Sequence, residues 1–276
     1  MPYKALMAHV ELDDSGDARV RLAADLARRF DATLIGVSAW APSPAFRGDI
    51  TLIEPVPEIA DLQTMEEVLT GRGDTFRALA GNVAKAVEWR SRLELPTEFV
   101  VREARAADLM IIGATRHPVL ADPYRCVDPG AVLLRAGRPV LLVPPEITAL
   151  AGRHIAVAWK DTREARRAIV DALPFLQQAE TVTVVEFCET EAEAVARPRL
   201  EDVRRFLLRH QVRTVREQVI PIEVSVTSSL WRLVQDRAID LIVAGGYGHS
   251  RLGEWIFGGL TRDLLLQSPV SCLLSH

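Results

Sequence analysis

The sequence predicts an α/β protein built from two tandem, open, mostly parallel five-stranded sheets, each with helices on both faces. Three observations lead to this prediction. The chain has 276 residues, nearly twice the ~150 residues of a typical domain. Short apolar runs alternate with helical patterns, which is typical of parallel sheets covered by helices. The alternation occurs twice, because three landmarks of the first half recur in the second.

The repeat predicts two domains, at residues 1–148 and 149–276. Residues 6–10, 107–113 and 138–143 of the first half match residues 155–159, 239–245 and 268–274 of the second. No low-complexity linker separates the halves, so we expect them to pack together. The first half carries 17 more residues between its landmarks, which we assign to a long loop or lid within 40–73, before an acidic helical stretch around Met65.

In the first half, a strand at 6–10 leads through Asp14 and Ser15 into an amphipathic helix. Residues 97–101 resemble a strand in their β-branched content. Such a strand would leave seven residues before the strand at Leu109, fewer than the roughly twelve that a parallel crossover needs. We therefore predict the third strand at 86–93 and a helix at 97–106.

In the second half, a strand at 155–159 is followed by Asp161 and Thr162, which are predicted to cap a helix. The apolar residues of this helix recur at helical spacing: Ala165, Ala168, Ile169, Ala172, Leu173 and Leu176. The later landmarks repeat those of the first half. Both halves are therefore expected to share one topology.

Composition excludes several classes of protein. The chain is 49% hydrophobic and 25% charged, with a net charge of -4 and no basic excess of the kind that nucleic-acid binders carry. No apolar run approaches the ~18 residues of a membrane span, so we expect a cytoplasmic protein without membrane or nucleic-acid partners. Cys126, Cys188 and Cys272 stand far apart, in neither a disulfide nor a metal pattern. Each is interpreted as a small core residue.

A glycine-rich segment follows the fourth strand of the second half. Gly245 and Gly248 form a Gly-x-x-Gly pair, and nine residues later Gly258 and Gly259 precede a helix at 260–267. Glycines let a backbone approach an anion closely. The free amides at a helix start, here beginning with Leu260, favour phosphate. The spacing therefore predicts an anion site at the carboxyl ends of the strands, where parallel sheets bind ligands.

Simpler interpretations stay open for these residues. The glycines can serve tight turns alone. Arg251 and Arg262 either steady phosphates or are solvated, and His249 either bonds a phosphate or is a surface histidine. Two further side chains have structural interpretations: Trp159 as a packing anchor rather than a base-stacking platform, and His9 as a core histidine rather than a ligand. The histidines show no metal spacing.

The pattern resembles the ATP-binding motif of the universal stress protein family, Gly-x-x-Gly-x9-Gly followed by Ser or Thr. Both halves look like domains of this Rossmann-like family, in its tandem type. The resemblance implies that Gly245, Gly248 and Gly258 are nucleotide-loop glycines. Because family members commonly dimerise through their last strands, it also implies that 140–143 and 270–274 pair within one chain as a pseudo-dimer. Homodimerisation of tandem chains stays open.

Two positions of the second half depart from the family pattern. Gly259 stands where the hydroxyl residue is expected, so phosphate bonding passes to Thr261 or to the Gly259 amide. Lys160 stands where the family carries an Asp that contacts the nucleoside. Asp161 is the candidate substitute, and Lys160 is a candidate for meeting a phosphate.

The first half departs further, because Arg116 and Cys126 replace its second and third motif glycines. We expect no triphosphate cradle there. Asp122 and Asp128, each followed by proline, are predicted to form turns. The first half is then a structural or regulatory partner whose pocket takes another small molecule or nothing.

The expected function is binding of ATP, with or without Mg²⁺, or of another adenine nucleotide in a stress response or in signalling. A non-ATP-binding scaffold or small-ligand protein is the alternative. A nicotinamide dehydrogenase is disfavoured, because no glycine follows strand 155–159. No catalytic base or metal ligand is identified, so any ATP hydrolysis is expected to be slow.

Overall fold

The computed structural model describes residues 2–43, 59–114, 122–189, 192–222, 224–247 and 259–276. The first half contains five strands and four helices within these ranges: Ala5–His9 (β1), Asp17–Phe30 (α1), Thr33–Ala39 (β2), Ile59–Ala80 (α2), Ala86–Arg92 (β3), Pro96–Glu103 (α3), Leu109–Gly113 (β4), Pro129–Arg135 (α4) and Val140–Val143 (β5). The predicted third strand and the helix after it are confirmed. Short 3-10 turns at Asp14–Gly16 and Ala104–Ala106 adjoin α1 and α3.

The second half repeats this order: His154–Trp159 (β6), Arg163–Leu176 (α5), Thr181–Cys188 (β7), Glu193–Arg209 (α6), Val215–Pro221 (β8), Val226–Asp236 (α7), Leu241–Gly245 (β9), Gly259–Gln267 (α8) and Ser271–Ser275 (β10). Thr162 caps α5 as predicted, since its hydroxyl accepts the amide of Ala165 at 3.3 Å. Asp128 caps α4 through the amides of Gly130 and Ala131. Part of the insertion assigned to 40–73 is helical, because α2 begins at Ile59.

The strands form one ten-stranded sheet in the order β3-β2-β1-β4-β5-β10-β9-β6-β7-β8. Every pair is parallel except β5 and β10, which meet antiparallel at the centre, with Cys272 opposite Leu142. The predicted pairing of the last strands within one chain is therefore confirmed. A pseudo-twofold axis at this seam relates the halves. Within each half of the sheet, the strand order reverses between the first and fourth strands of that half.

Helices cover both faces of the sheet, as predicted. Alternate strand residues contact α1, α2, α5 and α6 on one face and α3, α4, α7 and α8 on the other. On the first face, aromatic rings join the halves: Tyr3, Phe30 and Phe175 lie with their centroids 5.0 to 5.9 Å apart. The Tyr3 hydroxyl also donates to the carbonyl of Asp171 at 2.5 Å. The core is thus continuous across the seam.

The cysteine interpretation needs a correction. Cys272 is buried in β10, but Cys188 is half-buried and Cys126 is exposed. Cys126 lies outside the core because it follows the turn at Asp122, whose carboxylate accepts the amide of Tyr124, in the loop before α4. Within the described ranges, no helix is both long and apolar enough to cross a membrane.

Candidate functional site

The candidate site lies at the carboxyl ends of β6 and β9, where the second half reverses its strand order. Trp159 ends β6 and is followed by Lys160 and Asp161, while Gly245 ends β9. The two strands are adjacent and in register, with Ala158 opposite Ala244. The fold therefore brings these three predicted site residues to one edge, at the position where open α/β sheets bind ligands.

Lys160 and Asp161 are exposed at this edge. The carbonyl of Lys160 accepts the amide of Thr162 at 2.7 Å, which turns the chain into α5. Arg166, one turn into α5, donates to the carboxylate of Asp161 at 2.5 Å. Lys160, Arg163 and Arg166 thus place cations around the start of α5.

Gly245 lies directly against α5. A β-carbon at Gly245 would come within 2.5 Å of the amide nitrogen of Ala165 and 2.9 Å of the β-carbon of Glu164. These neighbours leave no room for any side chain. A packing requirement therefore explains this glycine independently of any ligand.

Gly246 and Tyr247 connect the site to the first half. A β-carbon at Gly246 would lie 2.7 Å from a methyl of Leu133 on α4, and the Gly246 amide donates to Ser275 at 2.8 Å. Tyr247 has a positive φ of 56°. Its hydroxyl would lie 2.8 Å from a β-carbon at Gly130, the second residue of α4. The segment leaving β9 is thus packed on the partner half.

The start of α8 has the opposite character. Gly259 is exposed, and a β-carbon there would meet no atom of the described residues within 4 Å. The first turn of a helix leaves amides without intrahelical partners. Leu260 is half-buried and packs on the core. Thr261 is buried, and its hydroxyl accepts the amide of Tyr247 at 3.3 Å. Thr261 thus ties the start of the glycine-rich segment to α8.

The other predicted residues of this segment, Gly248, Arg251 and Gly258, lie outside the described residues, as does His249. Arg262 is exposed. Trp159 is buried among core residues, consistent with a packing role. Within the described parts of the chain, no group of metal-binding side chains clusters.

Buried carboxylates flank the edge, and sequence reasoning missed them. Glu164 is 4% exposed and pairs with Arg163. Burial acts to raise the pKa of Glu164, but hydrogen bonds from Arg163, its own amide and Thr162 lower it overall. Glu186, opposite Trp159 on β7, is also buried and pairs with Arg199 on α6. The position of Glu164 two residues after the cap was the available sequence signal, whereas the Glu186 pair had none.

The corresponding edge of the first half is filled. Arg19 of α1 pairs with Glu11, and a β-carbon at Gly113 would overlap the Arg19 guanidinium. His9 is 5% exposed, with its Nδ1 3.6 Å from a Glu11 oxygen, as expected of a core histidine. Burial acts to raise the pKa of Glu11, but Arg19 and His9 lower it to about 2. Arg116 lies outside the described residues.

Comparison with known proteins supports the assignment of the fold. The model of the universal stress protein family matches residues 152–276. A universal stress protein from Archaeoglobus fulgidus DSM 4304 superposes with a TM-score of 0.73 at 12% identity, covering 98% of this chain and 95% of that chain. A protein of unknown function from Pseudomonas aeruginosa PAO1 superposes with a TM-score of 0.57 at 15% identity, covering 99% and 92%.

No curated protein matches the sequence. The two superpositions span both halves of the chain. At 12% and 15% identity, these superpositions establish the fold alone. The match to the family model shows in addition that the second half is a member of the family. Residues 152–276 belong to the universal stress protein family, and the chain as a whole has the fold of two universal stress protein domains in tandem.

Proposed function

We propose that the second half binds ATP, with or without Mg²⁺, or another adenine nucleotide, and that the protein acts in a cytoplasmic stress response or in signalling. The phosphates lie at the start of α8 in this proposal. Gly245, Gly248 and Gly258 shape the loop around them, and the amides of Gly259 and Leu260 donate to them.

The observation that carries the proposal is the exposed start of α8 at Gly259. A helix start attracts anions through its free amides and its dipole. Here the first residue of α8 is exposed, and no atom in the described part of the chain would lie within 4 Å of a β-carbon added to it. In the first half, the equivalent helix α4 begins at Pro129, and the Asp128 carboxylate accepts the amides of Gly130 and Ala131. A side chain of the protein thus takes the place of an anion there, which favours a ligand in the second half only.

Lys160 and Thr261 take different parts in this proposal. Lys160 stands exposed at the carboxyl end of β6, where an ammonium group compensates phosphate charge better than it recognises a nucleoside. Thr261 positions the loop through its bond with Tyr247, which leaves phosphate contact to the backbone amides. The carboxylate of Asp161 accepts a hydrogen bond from Arg166. In this proposal Asp161 orients the nucleoside of the bound nucleotide. Any Mg²⁺ in the proposed complex binds together with the nucleotide, at its phosphates.

The alternative is a scaffold or small-ligand protein that does not bind ATP. It is favoured by the packing at Gly245, where backbone atoms of α5 exclude a side chain, and by the close approach of the Leu133 methyl to Gly246. Under this alternative, the glycines hold β9 against α5 and α4 and make no ligand contact.

Equilibrium binding of labelled ATP to the full chain, with and without magnesium, tests the proposal. Wild type should saturate below millimolar nucleotide. Gly259→Asp should weaken binding about tenfold or more, because it places a carboxylate beside the phosphates. The same carboxylate stabilises a helix start, so the thermal midpoint should not fall.

Gly71→Asp is the matched control, because a β-carbon added to Gly71 in α2 would likewise meet no atom of a described residue within 4 Å. It adds the same charge in the first half and should leave ATP affinity unchanged. Absence of saturation in wild type would reject the proposal and favour the alternative. Equal affinities for wild type and Gly259→Asp would reject the placement of the phosphates at the start of α8. Mass spectrometry of ligands released from protein purified without added nucleotide would identify what occupies the site.

A further inference from the structure

A second cleft lies at the opposite edge of the same sheet, at the amino ends of β6, β7 and β8. Its volume is about 350 Å³. It lies on the face covered by α7 and beneath the end of that helix. The polar residues that line it are His154, Thr181, Thr183, Arg216, Asp236 and Arg237. Neither the glycine motif nor the family pattern involves these residues.

Thr183 is a buried polar residue in this cleft. It is 3% exposed and is the third residue of β7. The strand register places it opposite Arg216 on β8, so the two side chains lie on the same face of the sheet and line the same cleft. A hydroxyl in this position can donate to an oxyanion held by the arginine.

Arg216 and Arg237 contribute the positive charge. Neither forms an ion pair with a residue that the structure describes, whereas many other arginines of the chain do, including Arg90, Arg105 and Arg199. Two guanidinium groups lining one cleft suit carboxylate or phosphate oxygens, to which arginine donates in a bidentate geometry.

The pseudo-twofold axis provides an internal comparison. Asp108 and Asp240 are equivalent, because each accepts two backbone amides from the first strand of its half. The strand registers then make Arg216 equivalent to Glu88, and Gln218 equivalent to Arg90. By their distance in sequence before the two aspartates, Gln235 is equivalent to Glu103, and Arg237 to Arg105.

In the first half, these four equivalent positions neutralise one another. The buried carboxylate of Glu103 accepts from Arg90 at 2.9 Å and from Arg105 at 3.1 Å, and Glu88 accepts from Arg90 at 2.8 Å. The second half replaces one glutamate by arginine and the other by glutamine. Among the residues that the structure describes, its four positions therefore carry two unpaired positive charges where the first half has a balanced network.

We propose that this cleft binds the oxyanion group, phosphate or carboxylate, of a small molecule. Arg216 and Arg237 pair with the oxygens, and the Thr183 hydroxyl donates to one of them. Asp236 also lines the cleft and offsets one of the two arginine charges, which leaves a positive charge in excess. The nucleotide proposal concerns the other edge of the sheet, so the two stand independently.

The test is an NMR titration of the isotopically labelled full chain at constant ionic strength, first with inorganic phosphate and then with acetate. Saturable amide shifts are expected at Thr181, Thr183 and Arg216. Tighter binding of phosphate than of acetate would assign the cleft to phosphate groups. Tighter binding of acetate would assign it to carboxylates.

Arg216→Glu installs the residue of the equivalent position, and Arg237→Gln removes the other cation. Each should weaken the probe at least tenfold. Arg21→Gln, an exposed arginine on α1 over the other face of the sheet, is the matched control and should bind as wild type does. Shifts confined to residues near Gly245 and Gly259, shifts that do not saturate, or unchanged affinity in Arg216→Glu would each overturn the proposal.

Discussion

A β-carbon on Gly245 would lie 2.5 Å from the amide nitrogen of Ala165, so the end of β9 touches the first turn of α5 through backbone alone. The contact joins the two strands that border the candidate site, because α5 follows β6 directly. It also gives this glycine a structural role that exists with or without a ligand. The contact makes the stability of the second half sensitive to a single methyl group.

Gly245→Ala should therefore destabilise the protein by about 1–3 kcal/mol, since the backbones must separate to admit the methyl group. Gly71→Ala, in the open part of α2, should instead stabilise it by about 0.5–1 kcal/mol through helix propensity. Urea unfolding followed by circular dichroism measures both. Equal midpoints for wild type and Gly245→Ala would show that the contact is not tight.

Acid should weaken the first half through Glu11. Its pKa is lowered to about 2 in the folded protein from 4.5 in the unfolded chain. A lowered pKa contributes stability that is complete above pH 4.5 and is lost as the pH falls toward 2. Glu11→Gln removes this contribution and leaves Arg19 unpaired, at a cost of about 3 kcal/mol near pH 7.

The free energy of unfolding of both forms, measured from pH 7 down to pH 2.5, checks this. The difference in the free energy of unfolding between wild type and Glu11→Gln should stay constant above pH 5 and decrease below it. A difference that does not change with pH would mean that Arg19 and His9 do not stabilise the ionised Glu11 carboxylate.

Thr261 is expected to hold the segment after β9 in place against α8. Thr261→Val keeps the shape but leaves the amide of Tyr247 without its acceptor, which costs about 1–2 kcal/mol. Because that bond ties the end of β9 to α8, ATP affinity should fall as well. Thr261→Ser keeps the hydroxyl and should retain both. Thermal unfolding and ATP titration of the two variants measure the effects, and a fully stable Thr261→Val protein would contradict the assignment.

The cysteines should differ in reactivity. Burial raises the pKa of Cys272 to about 12, and this thiol lies in the central strand β10. An aromatic disulfide reagent at pH 8 should therefore label the exposed Cys126 first and leave Cys272 unmodified until the protein unfolds. Labelling in native buffer and in denaturant, located by peptide mass spectrometry, provides the measurement. Rapid native modification of Cys272 would indicate that the seam opens.

Much of the fold could be predicted. The choice of 86–93 as a strand and 97–106 as a helix depended on the length of a parallel crossover, and the structure has β3 at Ala86–Arg92 and α3 at Pro96–Glu103. The pairing of β5 with β10 was implied by the family resemblance. The insertion was only partly predicted: helical periodicity is weak where α2 begins, and Ile59 was placed in a loop or lid.

The candidate site was less predictable. Spacing identified Gly245 as a site residue, and the family resemblance pointed to Thr261 as a substitute for the missing hydroxyl residue. The contact of Gly245 with Ala165 and the bond of Thr261 with Tyr247 involve other elements. The cleft at Thr183 and Arg216 had no motif. Its residues come from three strands and a helix end, and their charges are informative only when the equivalent positions of the two halves are compared.

By itself, the sequence determined the order of strands and helices, the internal repeat and the segment suited to an anion. These are local properties, set by side-chain periods of about 2 and 3.6 residues and by the length of connections. Only the tertiary structure decided that the Arg19 side chain lies against Gly113 in the first half, while the backbone of α5 lies against the equivalent Gly245 in the second. Side-chain direction and free volume depend on helices packing against distant strands, and no local pattern encodes that packing.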